Sequence, residues 1–326
     1  MNRGVFMKKI ALMTSGGDSP GMNACIRSIV RTSISKGIKV CGINRGYEGL
    51  INDDIFELTS AHVANIIQRG GTILKSARSK KFMTTEGQIE AVNILNRNNI
   101  EGLIVIGGEG SLTGANILYK QYNIKVMGIP GSIDNDIYGT DFAIGVDSAL
   151  NRIINAIDII NDTASSHDRT FIIEVMGRNC GYLALMSSIA GGAEYAFIPE
   201  KNINIDEIVE MVKQRYKEGK SRSIIIVAEG AGSASSIAKI FREKGYIDTR
   251  ITVLGHLQRG GSPTYFDRML ATAMGIKAVE GLIEGEYGKM IALKGSKLYY
   301  IPIEEAISKK KELELDMLDI NKMLNV

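Results

Sequence analysis

GLIVIGGEGSLTGANILYKQYNIKVMGIPGSIDND, residues 102–136, decides how the chain folds. Leu103 to Ile106 is a short apolar run that breaks at Gly107-Gly108-Glu109-Gly110-Ser111. Ser111 to Tyr122 then reads as a helix, and Val126 to Ile129 as a second short strand. The same strand and helix alternation extends outward in both directions. Upstream lie a strand at Lys9 to Thr14 and a helix at Met22 to Lys36 with Ile26, Ile29, Val30 and Ile34 at helical spacing. A strand at Val40 to Ile43 and a helix at Glu86 to Asn98 follow. Downstream, a long helix over Asp147 to Thr163 precedes a restart: strand Phe171 to Val175, helices Gly181 to Ala190 and Asp206 to Tyr216, strand Ser223 to Ala228. Alternation of this kind specifies mostly parallel sheets covered by helices on both faces, here as two α/β units. Strand Thr252 to Leu254 and helix Tyr265 to Leu282 fit either unit. No Pro-rich or Ser-rich linker separates the halves, so short crossings and a cleft between domains are expected.

Composition narrows the function. The chain has 326 residues, and 39 Lys and Arg against 36 Asp and Glu leave a net charge of +3. That balance argues against bulk electrostatic binding to nucleic acid or anionic membrane. Cys25, Cys41 and Cys180 are far apart with no Cys-x-x-Cys, which reads as buried thiols in a reducing compartment. Met1 to Lys9 lacks the order of a secretion signal, and no apolar run approaches the ~20 residues of a membrane span. A cytoplasmic enzyme or binding protein is expected, starting at Met1 or Met7. The 36 glycines in 326 residues are unusual, and most follow short apolar runs where strands give way to loops. Lys309-Lys310-Lys311 with Glu312 and Glu314 reads as a solvated helix face.

Three constellations could carry chemistry. In Gly107 to Ser111, glycines let the backbone approach a polyphosphate, and the helix start supplies unpaired N–H groups. This segment matches neither Walker A nor the dinucleotide fingerprint. Pro130-Gly131-Ser132-Ile133-Asp134-Asn135-Asp136 puts two carboxylates after a strand, suiting a general base with a metal-organising partner, although Asp-Asn-Asp is also ordinary turn chemistry. The third is cationic: Ser166-His167-Asp168-Arg169, Met176-Gly177-Arg178, and Gly255-His256-Leu257-Gln258-Arg259-Gly260-Gly261. Arginines at several loop tips, sharing a position after strands, suggest a phosphorylated substrate.

Taken in order, Thr14-Ser15-Gly16-Gly17-Asp18, Ile106 to Ser111, Pro130 to Asp136, Glu174-Val175-Met176-Gly177-Arg178 and Leu254 to Ser262 resemble the motifs of the bacterial ATP-dependent 6-phosphofructokinase family, from about Lys8 to about Gly288. The resemblance implies two Rossmann-like three-layer α/β/α domains with an active-site cleft between them. Residues 1–145 plus 257–307 would form a larger ATP-binding domain, and 146–256 plus 308–326 a smaller fructose 6-phosphate-binding domain. It implies phosphorylation of fructose 6-phosphate to fructose 1,6-bisphosphate with Mg-ATP as donor, the committed step of glycolysis. Gly17, Tyr47, Arg78, Ser79, Gly108, Glu109, Gly110 and Ser111 would hold the nucleotide, with Gly114 permitting close helix approach. Ser132, Asp134, Asp136, Met176, Gly177, Arg178, Glu229, His256 and Arg259 would meet the sugar. Arg169 and Arg250 would reach its 6-phosphate from a neighbouring subunit of a homotetramer. Asp134 would be the base, with Ser132, Arg78 and Arg178 completing the catalytic set and Glu109 and Asp136 serving Mg2+. Gly110 and Gly131 stand where the pyrophosphate-dependent branch carries Asp and Lys, which favours ATP.

Two departures stand out. Glu109 replaces the family's Asp, displacing a carboxylate by up to about 1.5 Å, from which impaired Mg-ATP handling is expected. The resemblance also implies an inter-subunit effector pocket, of which Arg27, Arg31, Gly192, Glu194, Lys220 and Arg222 remain. Ser60, Asn65, Asn161 and Glu218 replace Arg, Asp, Arg and Lys, so weak or absent regulation by ADP and phosphoenolpyruvate is expected. The alternatives are a catalytically weakened relative with a regulatory role, which Glu109 motivates, and a kinase for another acceptor.

Overall fold

The structure is a computed structural model that describes residues 7–166, 169–202, 204–220, 222–245 and 247–324. In chain order its first elements are β1 (Lys9–Ser15), α1 (Met22–Ser35), β2 (Lys39–Ile43), α2 (Gly46–Ile51), β3 (Ile55–Leu58), α3 (Thr85–Arg97), β4 (Gly102–Gly107), α4 (Glu109–Tyr122) and β5 (Val126–Pro130). They are followed by α5 (Val146–Ser165), β6 (Thr170–Val175), α6 (Tyr182–Ala190), β7 (Tyr195–Phe197), α7 (Ile205–Lys217), β8 (Ser223–Ala228), α8 (Ala234–Gly245) and β9 (Thr249–Val253). The last are α9 (Tyr265–Glu284), β10 (Lys289–Lys294), β11 (Lys297–Pro302), α10 (Ile303–Ser308) and α11 (Met317–Leu324). The chain divides into two compact units. One holds residues to Ile133, Ile137–Asp147 and Arg259–Lys311; the other holds Asp134–Asp136, Ser148–Gln258 and the residues from Glu312 onward.

The first unit is built on a seven-stranded sheet in the order β11-β10-β5-β4-β1-β2-β3. The pairs β1–β2, β1–β4, β4–β5 and β5–β10 are parallel, and β2–β3 and β10–β11 are antiparallel. Period-two alternation in β1 sends Ile10 and Leu12 into one hydrophobic cluster with α1 and α9 residues such as Ile26, Ile29, Met274 and Val279. Ala11 and Met13 enter the other, with Leu50 of α2, Leu95 of α3, Leu112 and Leu118 of α4. Both faces of the central strands are therefore buried, which is why they read as continuous apolar runs.

The second unit carries a four-stranded parallel sheet, β7-β8-β6-β9. Ile172, Ile225 and Val227 bury one face against Val209 and Val212 of α7 and Ala238 and Phe241 of α8. Of the two elements that fitted either unit, the strand at Thr249–Val253 completes this smaller sheet, whereas α9 belongs to the first unit.

The Lys309–Lys311 run is solvated at Lys309 and Lys310 but is not part of a helix. Helix α10 ends at Ser308, Lys310 makes an antiparallel bridge to Ile137, and Lys311 Nζ donates to the carbonyls of Thr140 (2.7 Å) and Asp141 (3.0 Å). Backbone carbonyls left open in the 137–141 loop take up the cation.

Candidate active site

In the first unit, the sequence motifs converge on the carboxyl ends of three adjacent strands. Gly16 and Gly17 follow β1, Gly108 and Glu109 follow β4, and Ser132 follows β5. This is the edge of a parallel sheet where ligands bind. A Cβ at Gly107 would lie 2.4 Å from the Ser15 carbonyl and 2.7 Å from Ser111 Oγ. Glycine is thus required there by close packing of β1 against the start of α4. Gly16 has φ +84°, and Ser111 Oγ lies 3.2 Å from its would-be Cβ. Glu109 is the exposed first residue of α4, where a carboxylate also complements the helix N-terminal charge.

Tyr47 is buried, stacks on Phe82 with ring centroids 4.0 Å apart, and donates from Oη to the Ser111 carbonyl at 2.7 Å. Burial pushes its phenol well above the ordinary range, keeping it a donor. Gly114 makes room for this ring: an added Cβ would sit 2.6 Å from Tyr47 Cζ. The close approach that Gly114 permits here is to Tyr47 of α2. Ser79 accepts from the Phe82 N–H at 3.2 Å, opening the short 3-10 turn that carries the stacked ring, while Arg78 is exposed beside it. Gly110 has open space around its Cβ position, whereas a side chain at Gly131 would press on Met22 Cε at 3.1 Å.

Arg259, expected on the sugar, lies over Gly17, its Nη1 being 2.0 Å from where a Cβ would stand, and it donates to the Asp18 carbonyl at 3.2 Å.

The second unit gathers its own set. Met176, Gly177 and Arg178 follow β6, Glu229 follows β8 and His256 follows β9, again on adjacent strands at their carboxyl ends. Gly177 has φ +131°, and a Cβ there would meet the Cys180 carbonyl at 2.5 Å, so the turn tolerates no side chain. Gly230 donates to the Gly177 carbonyl at 3.1 Å and Glu229 N–H to Val175 at 2.9 Å, fastening the two loops. Gln258, fully buried, accepts from the Met176 N–H at 3.2 Å and donates to Gly255 at 3.0 Å. It has no role in the sequence reading, because its signal is a contact across 82 residues. Asp134 and Asp136 flank the buried, positive-φ Asn135. Burial first, then a weaker influence of Glu200, Asp136 and Asp134, pushes the Cys180 thiol up to about 11.

Arg169 and Arg250 are not with this set. Arg169 precedes β6 and Arg250 is the second residue of β9, paired with Phe171, so both stand at the amino end of the sheet. From Phe171 to Val175 the strand covers about 13 Å before Met176 begins. Both guanidinium groups instead hold one carboxylate, Asp248, at 3.3 Å and 3.1 Å. His167 and Asp168 of the same motif lie outside the described residues.

Of the expected effector residues, Arg27 and Arg31 share α1 in the first unit, and Gly192, Glu194, Lys220 and Arg222 belong to the second. Glu194 is buried, ion-paired to Arg215 at 2.9 Å and bonded to the Ile224 N–H, and burial raises its carboxyl above the ordinary value. Cys25, Cys41 and Cys180 are buried and free. Among the described residues no helix is long and apolar enough to cross a membrane.

Residues 9–282 match the family model described as Phosphofructokinase. The chain belongs to the phosphofructokinase family. It is 51% identical over 319 residues to an ATP-dependent 6-phosphofructokinase of Thermotoga neapolitana, covering 98% of this chain and all of that protein. It is 50% identical over 320 residues to one from Halalkalibacterium halodurans, with the same coverage. Among solved phosphofructokinases, that of Saccharomyces cerevisiae superposes with TM-score 0.86 at 40% identity over 92% of this chain, which spans 45% of the yeast chain. A pyrophosphate-dependent phosphofructokinase from Marinobacter aquaeolei shares the fold, with TM-score 0.88 at 21% identity over 97% of this chain and 88% of that one.

Proposed function

We propose that the chain transfers the γ-phosphoryl group of ATP to the 1-hydroxyl of fructose 6-phosphate. The observation that carries this reading is the half-identity, across the whole chain, to proteins named ATP-dependent 6-phosphofructokinase. The glycine loops after β1 and β4 receive the nucleotide phosphates, with Tyr47 bracing the start of α4 from behind. Open space at Gly110 suits a nucleotide. A carboxylate there would repel its α-phosphate, and at Gly131 Met22 leaves little room for the lysine of the pyrophosphate branch. Asp134 accepts the proton of the sugar hydroxyl. A carboxylate is a weak base, but phosphoryl transfer has a loose transition state that depends on positioning and charge neutralisation. Arg78 and Arg178 offset the charge that moves, and Ser132 orients the acceptor beside Asp134.

Glu109 and Asp136 offer hard oxygen donors, a set that suits Mg2+. Among the described residues no three acidic, His or Cys groups converge on one point, and Mg2+ characteristically completes its shell with phosphate oxygens and water. When bound, Mg2+ neutralises charge on the transferred phosphoryl group. The enzyme is read as cytoplasmic and homotetrameric. Arg169 and Arg250 stand at the opposite end of the sheet from Arg178 and His256, which supports their serving the 6-phosphate bound to another subunit.

The test is a coupled assay of fructose 6-phosphate phosphorylation with Mg-ATP, with pyrophosphate as competing donor and Asp134→Ser as control. Activity with ATP alone, falling by about 10²–10⁴-fold in the control, is expected. Binding of fructose 6-phosphate without turnover on either donor would instead support the weakened, regulatory relative.

A further inference from the structure

The segment from Arg69 to Ser79 carries Arg78 and Ser79 yet contains no helix or strand. Its backbone groups need partners from elsewhere. Two buried polar side chains of the first unit supply them. Asn23 on α1 is 2% exposed. Its Nδ2 donates to the carbonyls of Arg69 and Gly70, both at 3.1 Å, and its Oδ1 accepts from the Ile73 N–H at 2.8 Å. Two carbonyls and one N–H fix which end of the amide is which, and no other side chain of this size offers two donors and an acceptor in one plane. Thr14 in β1 is fully buried and donates to the Lys75 carbonyl at 2.8 Å. Its single proton being spent there, Thr14 accepts from Thr72 Oγ1 at 2.9 Å.

Two further ties run the same way. Ser76 donates to the Gly16 carbonyl, and the Arg45 N–H to the Leu74 carbonyl at 2.8 Å. The segment is thus fastened to the glycine loop after β1 on one side and to the start of α2, which bears Tyr47, on the other. None of these bonds is local in sequence.

We propose that Asn23 and Thr14 are positioning residues for Arg78, holding the 69–79 segment so that the guanidinium is presented to the transferred phosphoryl group. This rests on the reading of Arg78 given above. An exposed arginine on an unfastened loop would have to be ordered at each turnover, and that cost would appear in the reaction step. The two residues act through Arg78, so their effect requires its guanidinium.

The experiment is a double-mutant cycle on the full-length enzyme, pairing Asn23→Ala with Arg78→Ala, with kcat and KM measured for both substrates. Asn23→Ala is expected to lower kcat/KM for ATP about ten-fold in the parent and less than about two-fold once Arg78 is absent. KM for fructose 6-phosphate should stay put. Thr14→Val, which removes only the hydroxyl bonds, should repeat the pattern if Asn23→Ala folds poorly, and Thr14→Ser should restore near-parent kinetics. Full additivity with a damaging Arg78→Ala would overturn the positioning role while leaving Arg78 itself catalytic. An Arg78→Ala enzyme with parent kinetics would overturn both.

Discussion

Glu109 and Cys180 each turn a single side chain into a measurable property. Glu109 occupies the exposed first turn of α4, so its longer side chain meets no wall that would pull the carboxylate back. Shortening it by Glu109→Asp is expected to raise apparent Mg2+ affinity or kcat by about ten-fold, read from Mg2+ titrations at saturating ATP. No gain in either would remove the claim. Cys180 is an acid whose pKa rises on folding, from the ordinary 9.0 to about 11. Its contribution to stability is complete below pH 9 and is lost as pH climbs towards 11, because the unfolded chain ionises first. The raised value also slows alkylation. At pH 8 the thiolate fraction is about 100-fold below that of a free cysteine, the higher nucleophilicity returns about ten-fold, and the net rate is about ten-fold slower. Peptide mass spectrometry after iodoacetamide treatment between pH 7 and 10 would show this as a steep rise with pH. Residues of this kind were only partly legible in the sequence. The glycines and carboxylates of the motifs announce themselves by type and spacing. Gln258, Asn23 and Asp248 do not, because what distinguishes them is the distant backbone or arginine they meet after folding.

Elements with both faces buried were the easiest to read, since β1, β4, β5 and β8 carry apolar runs followed by turns. The β10–β11 hairpin went unread although Lys294-Gly295-Ser296 separates two apolar stretches, with Gly295 at φ +60°. Its alternation is blurred because β10 is buried along most of its length whereas β11 is mostly half-exposed. Short β3 and β7 offered too few residues to show a period. Helix α3 illustrates how an element is held in place by its end. Thr84 accepts from the Gly87 N–H at 3.2 Å, capping the helix just after the turn that carries Phe82 beneath Tyr47. Thr84→Ala should cost about 1 kcal/mol in stability, measured by urea denaturation. Thr84→Ser should cost far less because the acceptor remains. An unchanged midpoint for the alanine variant would show that the cap does not hold the helix.

At the scale of the molecule, the smaller sheet presents Met176, Arg178, Glu229 and His256 at its carboxyl end and two arginines, tied to Asp248, at its amino end. In sequence the cations among these appear as one family of basic loop residues, because which end of a strand an arginine occupies relative to the others emerges only from the strand order. The arrangement makes complementation between inactive variants the decisive experiment. On the function proposed above, Asp134→Ser chains would lack the base and Arg250→Ala chains the phosphate contact. Mixed after gentle dissociation, they should regain activity, because some sites combine an intact Asp134 with an intact Arg250 from a neighbour. Sites built within single chains would give mixtures no more active than either parent. The proposed sharing of Arg250 between subunits has a genetic corollary. A copy altered at Arg250 would leave its own site able to work with a normal neighbour and would disable the normal copy's site instead. In a cell expressing both copies equally, half of all sites would still meet an intact Arg250, so the loss would equal that of one inactive copy although it would be spread over the sites of both products.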